Sequence, residues 1–127
     1  MKIKLMIALV GGLTADMLGG WDIMLKTLVM LVIIDYATGV LAAVYKKKLS
    51  SSIGYKGIIK KVGIFAIVVV AAIIDKCVGM EIVRNITIVF YISNEGISIL
   101  ENVGKTGVKY PKKLKQILEQ LKDGDKK

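Results

Sequence analysis

Apolar residues along this chain occur in long blocks, and the residues between the blocks are rich in lysine. A helix needs about 20 mostly apolar residues to cross the hydrocarbon core of a bilayer. Stretches at residues 23–45, 62–80 and 82–103 meet this requirement. The pattern therefore predicts an all-α integral membrane protein with three transmembrane helices.

A shorter apolar stretch precedes these three, at residues 5–18, and is interrupted by a glycine pair and by Asp16. It is short for a span, so we expect an interfacial helix, with a fourth, short transmembrane helix as the alternative. A charged start followed by an apolar run also resembles a signal peptide. No small-residue cleavage site comes before Asp16, so we expect no cleavage.

The end of the chain, residues 104–127, forms a basic tail in which Pro111 is well placed to open a helix. The apolar residues that follow recur at positions i, i+3, i+4 and i+7: Leu114, Ile117, Leu118 and Leu121. This spacing predicts a basic amphipathic helix. Such a helix would rest on anionic lipid or pack on its own neighbours, and the sequence favours neither.

Lysines between the apolar blocks indicate how the chain is oriented. Residues 46–61 contain six lysines and no acidic residue, and residues 104–127 contain eight lysines. Basic loops stay on the cytoplasmic side of a membrane, and two spans separate these segments, so both can be cytoplasmic. Serines and glycines at 49–57 predict turn and coil there. The lysines expected to contact anionic lipid are Lys46, Lys47, Lys48, Lys60, Lys61, Lys112, Lys113 and Lys115.

Composition supports a membrane location and excludes several other classes. The chain has 127 residues, 54% of them apolar, and a net charge of +9. Its mean hydropathy of +0.62 is unusual for a soluble domain. Segregation of basic from apolar residues disfavours nucleic-acid binding. Histidine is absent and Cys77 is the single cysteine, so we expect no enzyme, metal site or cofactor; Cys77 itself is either passive or forms a disulfide between chains.

Polar residues inside the predicted spans need an explanation, because an ionisable group at the bilayer centre costs about 2.5–3.5 kcal/mol. At 100° per residue, eight residues of the third span share an arc of about 120°. They are Arg84, Thr87, Tyr91, Asn94, Glu95, Ser98, Glu101 and Asn102. Such a polar stripe either makes hydrogen-bonded contacts within a bundle or faces water in a pore built from several copies.

The first span carries a compatible packing face, composed of Asp35, Thr38, Gly39, Ala42 and Ala43. Gly39 and Ala43 form a small-xxx-small pair that permits close helix approach, within one chain or between chains. Asp35 lies on the same face. We expect it to pair with a polar group of another helix, with Arg84 or Lys26 of a neighbouring copy as candidates.

Four sequence blocks carry a resemblance to a known family. They are GGWD at 19–22, DYATGVLAAV at 35–44, KKLSSSIGYKGIIKK at 47–61, and FYISNEGISILENVGKTGV at 90–108 with Pro111. The chain resembles the toxin-secretion/phage-lysis holin family of Gram-positive bacteria and their phages. The matching polar positions are Asp35, Tyr36, Thr38, Gly39, Asn94, Glu95, Gly96, Ser98, Glu101 and Asn102.

The resemblance implies a small homo-oligomeric protein of the bacterial cytoplasmic membrane that opens lesions at a set time. These lesions would release a cell-wall hydrolase (endolysin) or a large toxin. The residues leave two other classes open: a non-lytic accessory protein that recruits an acidic partner, and a small ion channel based on Asp35 and Glu95. Met6 is either a plain apolar helix residue or a second start that would remove Lys2 and Lys4.

Overall fold

The computed structural model describes residues 2–124, and this part of the chain is helical throughout, with short connections. Its helices are α1 (Lys2–Met17), α2 (Ile23–Tyr45), α3 (Ser51–Val78), α4 (Ile82–Lys105) and α5 (Lys112–Asp123). α2 and α4 run in the same direction and α3 runs against both. The lysine-rich α2–α3 connection and the end of α4 therefore lie at the same end of the bundle.

Two helices in the described range are long and apolar enough to cross a membrane: α2, and α3 from Gly54 to Val78. Only 22% of the most apolar stretch of each is buried, whereas the core helix of a soluble protein would be mostly buried. Large apolar side chains such as Met30, Ile33 and Val70 point outward instead. α4 has the length of a span, but its charged residues keep it out of this apolar class.

α3 begins at Ser51 and not near residue 62, so the prediction of turn and coil over 49–57 is wrong for most of that segment. Gly54 and Gly57 do not make a turn. They provide room for the ring of Tyr36 from α2, since a β-carbon on Gly54 would lie 3.2 Å from the Tyr36 hydroxyl oxygen. The glycines therefore allow close helix packing, and the helix continues through them.

α4 is the central helix of the bundle: α2, α3 and α5 all pack mainly on it, and α2 and α3 touch each other little. The core between them is formed by fully buried apolar side chains, namely Leu25, Leu28, Val68 and Ile88. α1 has no buried residue and packs only on α3. Whether α1 crosses the membrane or lies at its surface stays a prediction.

α5 folds back along α4, so in this structure it packs on its own neighbour. A β-carbon on Gly96 would lie 3.0 Å from Leu118 Cδ1, which shows how closely the two helices approach. Further along, the Lys122 ammonium lies 6.0 Å from the centre of the Phe90 ring. The remaining apolar side chains of α5 are about half exposed: Leu114, Ile117 and Leu121.

Candidate functional site

A buried ionic cluster joins the three central helices. Lys61 of α3 lies between Asp35 of α2 and Glu95 of α4, and its Nζ donates hydrogen bonds to Asp35 Oδ2 and, at 2.7 Å, to Glu95 Oε1. Asp35 is 5% exposed and Glu95 is 2% exposed. One ammonium group therefore holds two buried carboxylates that would otherwise repel each other.

Asn102 completes this arrangement from the end of α4. Its Nδ2 donates to the backbone carbonyl of Asp35 at 3.1 Å, to Asp35 Oδ1 at 2.9 Å and to Thr38 Oγ1 at 3.1 Å. Gly39 lies beside this contact, and a β-carbon there would be in ordinary van der Waals contact with that nitrogen, at 3.6 Å. We call Asp35, Lys61, Glu95 and Asn102 the central cluster.

The central cluster contains two carboxylates and one ammonium, so it carries one unbalanced negative charge when all three are ionised. Removing one partner of a buried ion pair is strongly destabilising, since an uncompensated charge remains away from water. Every buried polar side-chain atom in the described residues has a hydrogen-bond partner. The cluster is thus fully connected, and its integrity depends on α2, α3 and α4 staying together.

A second cluster lies where α2 and α4 begin. The Arg84 guanidinium binds both carboxylate oxygens of Asp22, at 2.8 and 3.2 Å, and also donates to the carbonyls of Leu18 and Gly20. Gly19 allows this packing, because it has a φ of +88° and a β-carbon there would collide with the Arg84 side chain. Arg84 therefore fixes the α1–α2 connection onto α4.

Two carboxylates in this second cluster also cap helices. Asp22 accepts a hydrogen bond from the Leu25 amide at 2.9 Å, and Asp75 accepts from the amides of Val83 and Arg84 at 3.0 and 2.8 Å. Carboxylates at helix N-termini satisfy amides that have no partner within the helix. The hydrogen bond from Arg84 is the largest cause that lowers the pKa of Asp22 below its usual 3.8. We call Asp22, Asp75 and Arg84 the terminal cluster.

The eight residues of the predicted polar stripe do not form one surface. Arg84 belongs to the terminal cluster, and Glu95 and Asn102 belong to the central cluster. Tyr91 packs against the apolar core, and Ser98 lines a cavity beside Asn102. Glu101 lies on the other side of α4, in a groove between α4 and α5. The two remaining members are half-buried: Thr87 and Asn94.

On the packing face of α2, Asp35 is paired within its own chain. Pairing with Arg84 or Lys26 of a neighbouring copy stays a prediction, whereas Lys61 and Asn102 of the same chain bind Asp35 here. The physical reason is the early start of α3, which carries Lys61 into the bundle at the level of Asp35. The rest of the face also lies near α4: Thr38 and Gly39 beside Asn102, Ala42 buried and Ala43 half-buried.

Sequence reasoning missed Lys61 as an ion-pair partner and Asp75 as a helix cap, although one signal could have found both. The buried residues of α3 recur at helical spacing, as Ile64, Val68, Ala71 and Asp75. Lys61 lies three residues before Ile64, so helical spacing places it on the same face of α3. Among the lysines expected to contact lipid, Lys61 is turned towards the bundle and is 20% exposed. Lys115 is half-buried, and the others are exposed: Lys46, Lys47, Lys48, Lys60, Lys112 and Lys113.

Comparisons with known proteins point to one family. The family model described as the bacteriophage holin family matches residues 12–123. The chain is 45% identical to a 14.9 kDa protein in the nagH 3′ region of Clostridium perfringens, over 94% of this chain and 92% of that protein. It is 40% identical to a Listeria monocytogenes protein, over 85% and 78% of the two chains. It is 37% identical to a "Probable holin" of Bacillus phage phi105, over 81% and 78%.

No solved structure matches the chain. The match of the family model covers most of the chain, and the resemblance inferred from the sequence blocks is confirmed. The chain belongs to the bacteriophage holin family.

Proposed function

We propose that this protein is a holin that oligomerises in the bacterial cytoplasmic membrane and opens timed lesions, through which an endolysin or a large toxin leaves the cytoplasm. Membership of the family suggests a non-enzymatic membrane protein that forms oligomers. The observation that carries the proposal is the distribution of polarity. Ionised groups are paired inside the bundle, while the outer surfaces of α2 and α3 are apolar.

In this proposal α4 is the third transmembrane helix. Glu95 would be costly at the bilayer centre as an isolated charge, but Lys61, which it shares with Asp35, offsets part of that cost. Three spans would place the connection 46–50 and the chain after Lys105 on one side. The lysines there favour the cytoplasmic side. The turn between α3 and α4 would then face outward.

The position of α5 supports a rearrangement as part of this proposed topology. α5 lies along the middle of α4, with Leu118 on Gly96 and Lys122 beside Phe90. A lysine at the bilayer centre costs about 2.5–3.5 kcal/mol. We therefore propose that α5 leaves α4 when α4 crosses the membrane. α5 would then lie on the membrane surface with its lysines towards anionic lipid.

Movement of α5 would also prepare the chain for assembly. It uncovers the face of α4 that contains Gly96 and Glu101, which a neighbouring copy could then contact. As copies accumulate, a further rearrangement would turn the polar stripe of α4 from intramolecular contacts to water. Collapse of the membrane potential would follow, and a loss of about 2.3 kcal/mol per charge per 100 mV would make opening self-reinforcing.

The test is induced expression in a bacterium that holds a cytoplasmic cell-wall hydrolase. Membrane potential, optical density and release of a folded cytoplasmic protein are followed together. We expect abrupt depolarisation, protein release, and lysis only when the hydrolase is present. Depolarisation without protein release would replace the proposal with a small ion channel. The absence of both, with the protein in the membrane, would replace it with an accessory protein.

A triple variant tests the stripe itself. Asn94→Leu and Ser98→Ala remove polar groups and Glu101→Gln removes a charge, all outside both clusters. The folded bundle should therefore persist, while lysis is delayed or lost at matched expression. The control is Asn85→Leu, an exposed asparagine of α4 outside the stripe, which should leave lysis timing unchanged. Equal timing for the triple variant and wild type would contradict the lesion-lining role.

A further inference from the structure

A cavity of about 690 Å³ lies at the lysine-rich end of the bundle, bordered by α2, the α2–α3 connection, α3 and α4. It exists because α2 and α3 pack on α4 and leave a gap between themselves at this end. Small residues of α2 leave room for the gap, namely Gly39 and Ala43. The volume is within the range of about 300–1,000 Å³ typical of small-molecule sites.

The charge of the cavity is strongly one-sided. Its lining contains five lysines and a single carboxylate, Asp35. Lys61 is already paired in the central cluster. The other four have no carboxylate within 4.0 Å among residues 2–124: Lys46, Lys48, Lys60 and Lys105. Four lysines that border one cavity without a carboxylate partner favour an anionic ligand.

The cavity lining between these lysines and Asp35 indicates the chemistry of the part of the ligand that lies inside the cavity. Val40, Ala43 and Leu49 line it, so the interior is largely apolar. From Lys46 at the rim to Asp35 at the inner end, α2 rises by about 16 Å. The Asp35 carboxylate would repel an anion there. A negatively charged group must therefore stay at the rim, while an apolar portion extends inward.

We propose that this cavity binds one anionic phospholipid, with its phosphodiester at the rim beside Lys48 and Lys60 and the upper part of an acyl chain against Val40 and Leu49. The proposal rests on the membrane placement proposed above. A basic pocket between transmembrane helices is a site at which anionic headgroups bind. Binding in this cavity differs from general attraction to a charged surface. One lipid molecule is bound, and both its charged headgroup and its apolar acyl chain contact the cavity.

The experiment measures lipid retained by the full-length protein, purified in mixed micelles of phosphatidylglycerol and phosphatidylcholine, by native mass spectrometry. We expect one phosphatidylglycerol per chain to be retained in preference to phosphatidylcholine. The variant Lys48→Gln with Lys60→Gln should weaken this binding about 25-fold, from about fivefold per lysine. The matched control, Lys56→Gln with Lys109→Gln, makes the same charge change at two exposed lysines outside the cavity and should bind within about twofold of wild type.

A steric variant tests the effect of cavity volume separately from the effect of the lysine charges. Ala43→Leu adds volume inside the cavity and leaves every lysine in place, so retention should fall while helical content, measured by circular dichroism, is unchanged. Equal losses for the two lysine pairs would overturn the proposal in favour of general electrostatic attraction. Unchanged retention in Ala43→Leu would overturn the role of the apolar wall.

Soluble competitors distinguish a bound lipid from two other possible ligands of the cavity, free phosphate and an acidic protein segment. Glycerol phosphate should not displace the lipid at equal concentration, because it lacks the apolar part; displacement would show a site for free phosphate instead. Displacement by a short poly-glutamate peptide would favour an acidic protein segment and overturn the lipid. Lipid retention is measured on purified protein and lysis in cells. A failure of lipid binding with normal lysis would therefore refute only this inference.

Discussion

The central and terminal clusters both contain buried charge on α4, yet they are built differently. In the terminal cluster each charged side chain also bonds to backbone: Arg84 to two carbonyls, Asp75 to two amides and Asp22 to one amide. In the central cluster Lys61 bonds only to side chains of other helices. Asp22 is 46% exposed in its ion pair, whereas Glu95 is 2% exposed.

This difference separates two tasks. The terminal cluster fixes helix ends and the α1–α2 connection, and it lies where side chains can reach water at a membrane surface. The central cluster lies in the middle of α2 and α4, where water is absent in a membrane and an unpaired charge is costly. Separation of the helices therefore has its largest electrostatic consequence at the central cluster, and its smallest at the terminal one.

The largest expected effect is the loss of Lys61. Lys61→Met leaves Asp35 and Glu95 buried without a counter-charge, so the free energy of unfolding should fall by about 3–5 kcal/mol. Unfolding of the purified protein by a denaturing detergent, followed by circular dichroism, measures this. Lys56→Met is the matched control, because Lys56 is an exposed lysine of the same helix and should change stability by less than about 0.5 kcal/mol.

A compensated variant sharpens the same prediction. Asp35→Asn and Glu95→Gln, added to Lys61→Met, remove all three charges, so most of the lost stability should return. A Lys61→Met protein as stable as Lys56→Met would show that the central cluster does not hold the helices together.

Arg84→Lys should have the next largest effect, a loss of about 1.5–3 kcal/mol. Lysine keeps the charge but cannot bind both Asp22 oxygens and two carbonyls at once. Amide hydrogen exchange should increase in residues 18–22 and at the start of α4, with the middle of α4 unchanged. Glu81→Gln is the control, since Glu81 precedes α4 without a side-chain capping bond. Faster exchange throughout the bundle would mean that the two clusters are not independent.

Much of the helical framework could be predicted from the sequence, because apolar blocks have clear edges where polar residues begin. The helix over residues 23–45 has the predicted bounds, and α4 begins at residue 82 as expected. The start of α3 could not be placed in this way. Lysines, serines and glycines at 46–61 were assigned to a loop, although the helical spacing of Lys61, Ile64 and Val68 extends the buried face of α3 into it.

The polar stripe shows a different limit. A helical projection places Glu95 and Glu101 in one arc, but it contains no information on which helix covers each side. In the structure α2 and α3 cover the side of Glu95, and α5 covers the side of Glu101. The contact between Leu118 and Gly96 that positions α5 joins distant parts of the chain, so no local pattern could reveal it.

A pH-dependent effect should appear at Asp22 in the terminal cluster. Arg84 lowers the pKa of Asp22, so the pair stabilises the protein at pH values above 3.8 and this contribution is lost as the pH falls through the lower folded-state value. Asp22→Asn should therefore be less stable than wild type at pH 6, and this difference should shrink as the pH falls below 3.8 towards the lowered pKa of Asp22. Thermal unfolding midpoints measure the difference. In an Arg84→Gln background the difference should depend less on pH, because only the Leu25 amide still favours the Asp22 carboxylate. An unchanged pH dependence would contradict the role of Arg84.

The smallest expected effect comes from the single hydroxyl acceptor that Thr38 offers to the central cluster. Thr38→Val removes the bond from Asn102, whose nitrogen keeps two other acceptors on Asp35, so the loss should be about 0.5–1.5 kcal/mol. Thr27→Val is the matched control: Thr27 makes the same type of bond to the carbonyl four residues earlier in α2, and none to another helix. The difference in unfolding free energy between the two variants isolates the contact between helices. In an Asn102→Ala background that difference should vanish, and a difference that persisted there would place the effect of Thr38 within α2 itself.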